Sequence, residues 1–75
     1  MNNKRRSRIS MAILSLADVL GELEDIRDEE QESRDNLPEN MEFSDRADRM
    51  DEAISSLEEA IDSVSEASDS LESIE

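Results

Sequence analysis

Residues 52–72 read EAISSLE, EAIDSVS and EASDSLE, three tandem heptads followed by SIE at 73–75. After its glutamate each unit sets an alanine (Ala53, Ala60, Ala67), then Ile54, Ile61 or Ser68, and three residues later Leu57, Val64 or Leu71. With Ile54 at heptad position a, Leu57 is d and the alanines are g. This pattern builds one long helix with a continuous g/a/d stripe, the seam of a coiled coil.

The same periodicity runs through the first third of the chain. Ile9, Ile13, Leu16, Leu20 and Leu23 alternate steps of four and three, so they form one seam, while Ala12, Val19 and Ile26 occupy g. A first helix is predicted over about 7–34 and a second over about 45–74. Beyond Ile26 the seam turns polar at Arg27 and Glu30, which predicts looser packing toward the connector. Gly21 falls at an outward b position, where it is tolerated at a cost of about 1 kcal/mol.

Between the helices, over 35–44, Pro38 cannot continue a helix and biases Leu37 away from helical angles, while Ser44 and Asp45 suit a new helix start. The chain is expected to reverse here, with Leu37, Met41 and Phe43 plugging the end of the helix pair. The predicted fold is all-α, one antiparallel two-helix coiled-coil hairpin spanning 1–75.

In an antiparallel pair, a residues of one helix lie level with d residues of the other, so facing residue numbers sum to a constant. A sum of 77 pairs Leu23 with Ile54, Leu20 with Leu57, Leu16 with Ile61 and Ile13 with Val64, and centres the reversal on Pro38 and Glu39. The same register sets Arg8 beside Asp69 and Arg5 near Glu72. The basic start of one helix would then meet the acidic end of the other, each offsetting the other's unfavourable placement on its helix dipole.

A chain of 75 residues with one aromatic, Phe43, buries little apolar surface, and such small chains usually need disulfides, metals or oligomerisation. Cysteine and histidine are both absent, so oligomerisation is the expected source of added stability. On the g side of the hairpin lie Ala12, Val19, Ile26, Ala53, Ala60 and Ala67, an apolar face of mostly small residues that a lone hairpin leaves wet. Two hairpins meeting there would make a homodimeric four-helix bundle.

Charge narrows the partners. Eight basic residues face 22 acidic ones, for a net charge of −14, and every acid lies from Asp18 onward. Residues 18–75 hold only four arginines against those 22 acids, a net −18. This surface repels nucleic acid and anionic membrane and attracts basic protein surfaces. Two rows stand at helical spacing: Asp18, Glu22, Asp25 and Glu29 on the first helix, and Glu52, Glu59, Asp62, Glu66 and Asp69 on the second. These are the candidate partner-binding residues.

Residues 1–17 imitate a signal peptide, with Lys4, Arg5, Arg6 and Arg8 ahead of ISMAILSLA. The apolar stretch is short and broken by Ser10 and Ser15, and its heptad phase runs on past any cleavage point, so the expectation is a cytoplasmic protein with no membrane partner. Without His or Cys the commonest general base, the thiolate nucleophile and the usual zinc ligands are missing, and no Gly-rich phosphate loop occurs. The clusters Asp28, Glu29, Glu30, Glu32 and Asp48, Asp51, Glu52 read as solvated charged faces, because Mg²⁺ and Ca²⁺ need convergent ligands. Neither enzymatic activity nor a metal or cofactor is expected.

The stretch RDEEQESRDNLPENMEFSDRADRMDEAISSLEEAIDSV, and above all its DEEQE, NLPEN and EEAIDS segments, resembles a set of small acidic two-helix proteins associated with phages and mobile elements of Gram-positive bacteria. In size and charge the chain is also similar to the short acidic phage inhibitors of the anti-CRISPR kind, which occupy DNA-binding grooves of host defence enzymes. The resemblance implies an acidic protein-binding module acting as a DNA mimic on a basic groove. The competing expectation is a structural module for oligomerisation or assembly, whose charge serves only solubility.

Overall fold

The computed structural model describes residues 1–74. Two helices, α1 (Asn3–Asp35) and α2 (Asp45–Glu72), pack against each other as a hairpin, joined through a short 3-10 turn at Glu39–Met41. The molecule is a rod of 60 × 14 × 12 Å, one helix pair thick.

Helix α1 begins four residues earlier than the periodicity alone suggests, because Asn2 caps it: its side-chain oxygen accepts from the Arg5 N–H at 2.8 Å. An N-cap satisfies one of the donors that a helix start leaves orphaned, so the basic turn Lys4–Arg8 winds into the helix although it precedes most of the seam. At the other end the Leu37 N–H reaches the Arg34 carbonyl, and Pro38 stops further winding. Helix α2 is capped by Ser44, whose Oγ accepts from the Ala47 N–H at 3.2 Å and itself donates to the Met41 carbonyl at 2.7 Å. It ends at Glu72, two residues short of the expected boundary, with Ser73 as C-cap.

The half-buried residues of α1 include Ile9, Ile13, Leu16, Leu20, Leu23, Arg27, Glu30 and Arg34, an unbroken alternation of fours and threes. In α2 the seam runs Ala47, Met50, Ile54, Leu57, Ile61, Val64, Ser68 and Leu71, every one at least half-buried. Fully buried side chains are few, as expected of two helices alone: Ala47 at 0% and Ile54 at 7% exposure among the described residues.

Both lie toward the connector. Packing there is tighter than at the open end, the reverse of the expectation drawn from the polar residues Arg27 and Glu30. Long polar side chains bury their methylene stems while keeping their heads wet, so they close a seam that their polarity seemed to open. Leu37 and Met41 cover the connector end half-buried, but Phe43 is 90% exposed and is no part of the plug. The Ser44 N–H and Oγ both return to the Met41 carbonyl, a tight turn with Phe43 left in solvent.

The register also differs from the sum of 77. The Arg34 Nε donates to Asp51 Oδ1 at 2.9 Å, and these residue numbers sum to 85. In the expected register Asp51 would sit eight residues beyond the level of Arg34, about 12 Å along the axis, with another 8–10 Å between helix axes, which is out of reach. At the open end Ile9 and Ile13 line one groove with Leu71 and Ile74, again a displacement in the same direction. Helix α2 is therefore moved by between half a heptad and one heptad toward its own N-terminus relative to α1. The cause is the connector. The 3-10 turn after Pro38 carries the reversal to about residues 40–42, later than a turn centred on Pro38 and Glu39.

Candidate protein-binding surface

The seam faces inward at a and d, which leaves b, c and f to solvent. All nine candidate acids stand on that outer surface: Asp18, Glu22, Asp25 and Glu29 on α1, and Glu52, Glu59, Asp62, Glu66 and Asp69 on α2, each exposed. None makes an ion pair or a side-chain hydrogen bond among the described residues, where the two ion pairs are Arg27 with Asp28 and Arg34 with Asp51. The row on α1 advances about 5.5 Å per carboxylate and that on α2 about 6.4 Å, so the two helices together present roughly one charge per 3 Å of rod. Duplex DNA carries one per about 1.7 Å.

The expected juxtaposition of Arg8 with Asp69 and Arg5 with Glu72 is not formed among the described residues. The displaced register carries the start of α1 past the end of α2, so residues 1–8 are all exposed and Ile9 is the first half-buried position. Lys4, Arg5 and Arg8 thus project as an exposed basic stub, while Arg6, also exposed, lines the open-end groove with Glu72 and Ile74.

Of the candidate dimer face, Ala12, Val19, Ile26 and Ala67 are exposed, Val19 by 46% and Ile26 by 41%, while Ala53 and Ala60 are half-buried. The face is apolar, and its exposed part on α1, from Ala12 to Ile26, runs along about 21 Å of the 60 Å rod. Sequence reasoning missed two further hydrophobes, Met11 and Leu14, exposed by 68% and 67% at f and b. Their signal was present: no charge occurs from Ile9 to Ala17, so hydrophobes fall on the outer face of that stretch as well as on its seam.

Arg34 is the other residue that periodicity did not single out. Its guanidinium bridges Asp51 and also donates from Nη2 to the Glu42 carbonyl at 3.2 Å, tying α1, connector and α2 together. Donating a hydrogen bond to Asp51 raises the Arg34 pKa, partial desolvation opposes this, and the neighbouring carboxylates add to the rise. No group of three or more acidic residues among the described ones is placed to hold a metal ion, and no described helix is long and apolar enough to cross a membrane.

No family model matches this chain, and no significant match is found among curated proteins or among solved structures. The surface itself carries the functional reading.

Proposed function

We propose that the protein is a non-enzymatic, cytoplasmic binding module whose outer carboxylate rows engage a basic protein surface, acting as a DNA mimic on a nucleic-acid-binding protein in the manner of a phage-encoded inhibitor. The observation that supports this is the pair of exposed rows, none of whose carboxylates is in an ion pair among the described residues, held on a rod one helix pair thick. Carboxylates on a helical hairpin are fixed at regular spacing, and a partner groove that neutralises phosphates would meet a comparable run of negative charge. The module acts as a homodimer, two hairpins docked through Ala12, Val19, Ile26, Ala53, Ala60 and Ala67 into a four-helix bundle. Docking there leaves b, c and f outward, so assembly and partner binding use different faces.

The test is capture on immobilised protein at low salt, followed by elution with duplex DNA. A mimic releases its partner to the DNA, loses it as salt rises past about 0.1 M, where exposed charges more than about 10 Å apart are screened, and fails to capture it after Asp62→Lys, Glu66→Lys and Asp69→Lys together. A second reading, the structural assembly module, is favoured by the exposure of Val19 and Ile26. It predicts that the triple variant behaves as the parent does.

A further inference from the structure

The charge of the hairpin is concentrated at one end. A cut straight across the rod separates 18–62, with 18 acids against four arginines and a net −14, from the open end, where four basic residues balance four acids. Counted over the sequence, the basic residues Lys4, Arg5, Arg6 and Arg8 equal in number the remaining acids, Glu66, Asp69, Glu72 and Glu75, the last of which lies outside the described residues, and no ion pair joins the stub to α2 among the described residues.

We infer that the second copy docks with its connector at the opposite end of the bundle, the strongly acidic part of each hairpin reaching past the neutral end of the other. This rests on the dimer proposed above and adds its polarity. With connectors together, the two strongly acidic bodies would lie side by side along their whole length, an arrangement that is unfavourable wherever flanking carboxylates of the two copies come within a Debye length, about 8 Å at physiological salt. With connectors apart, the exposed arginines of each copy point toward the connector of the partner, where Asp35, Glu39, Glu42 and Asp45 are exposed.

The apolar face agrees with this polarity. Its middle residues are Val19 on α1 and Ala60 on α2, close to the cut. A two-fold axis level with Val19 sets Val19 against Val19 of the second copy and Ala12 against Ile26, while Ala60, within about one and a half helical turns of that level, turns the alanines of α2 toward α2 of the second copy. An isologous interface must match its own reversal, and on α1 this one does so with the small residue facing the large one.

Because the chain contains no cysteine, one spin label at Ser7→Cys reports the arrangement without interference. Ser7 is exposed, and twelve residues separate it from the proposed axis, so the expected distance between labels is about 35–40 Å. A distance below about 20 Å in a dimeric sample would overturn the polarity and leave the dimer standing, whereas light scattering at the 8.5 kDa of a single chain would remove both. Independently, Arg5→Glu, Arg6→Glu and Arg8→Glu together should weaken dimerisation tenfold or more at low salt. A dimer of unchanged affinity in that variant, or a stub that binds vesicles of anionic phospholipid equally well in monomer and dimer, would also overturn the inference.

Discussion

Arg34 reaches Asp51 across the hairpin, Nε to Oδ1 at 2.9 Å, and this is the one ion pair between the two helices among the described residues. Its geometry is bidentate only in part, with Nη2 at 3.5 Å from Oδ2. The Asp51 side chain is 55% exposed, so the pair is screened by solvent. It selects a register more than it holds the fold. Arg34→Ala and Asp51→Ala should each lower the melting temperature modestly at low salt, and the double variant should fall no further than the worse single one. In 1 M salt the coupling between the two sites should vanish.

Gly21→Ala should stabilise the protein. A Cβ built on Gly21 meets nothing within 4 Å and its φ is not positive, so the substitution adds helix propensity without a clash. The gain is about 1 kcal/mol, which for a chain of this size raises Tm by roughly 4–8 °C. Thermal melts followed by far-UV circular dichroism measure it.

Hydrophobic residues of similar size should respond in opposite ways. Ile54→Ala removes a side chain that is 7% exposed and should cost about 2–4 kcal/mol, a large fraction of the stability of so small a fold. Phe43→Ser removes one that is 90% exposed and should change stability by less than about 0.5 kcal/mol. Urea titrations of the two variants separate these outcomes, and a destabilised Phe43→Ser protein would mean that Phe43 is covered in solution.

Loss of the α2 cap should be felt more than loss of the α1 cap. Ser44→Ala abolishes both the bond from the Ala47 N–H and the bond to the Met41 carbonyl beside a fully buried alanine, and should cost about 1–2 kcal/mol. Asn2→Ala frays a turn that is exposed on all sides, so only the exchange rates of the first few amides should rise.

The seam was legible in the sequence because a period of four and three residues leaves little freedom once a helix forms. Each of the a and d positions from Ile9 to Leu23 and from Ile54 to Leu71 is at least half-buried. Register was not legible. Shifting one heptad repeat against another by a heptad keeps a facing d at every layer and exchanges some apolar pairs for mixed ones such as Leu57 with Arg27 and Ile54 with Glu30, whose methylene stems still pack, so the choice passes to the connector and to one arginine, neither of which is periodic. The plug failed at Phe43 for a related reason: hydrophobicity says that a loop residue gains from burial, but the hydrogen bonds of Ser44 set where the backbone points it. The acidic rows were legible as exposed faces. Whether carboxylates on such a face find internal partners depends on register, and the displaced register is what leaves the basic stub unpaired.

The burial of Ala47 and Ile54 near the connector, with no described residue of the open end fully buried, gives the hairpin a direction of opening. Local opening is expected to begin at the tips, where no described side chain is fully buried, and to reach the Leu37–Ser44 connector last. The arginines that stand out beyond α2 are carried on those tips. Opening at the tips would thus move half of the molecule's basic residues while the contacts of Ala47 and Ile54 hold.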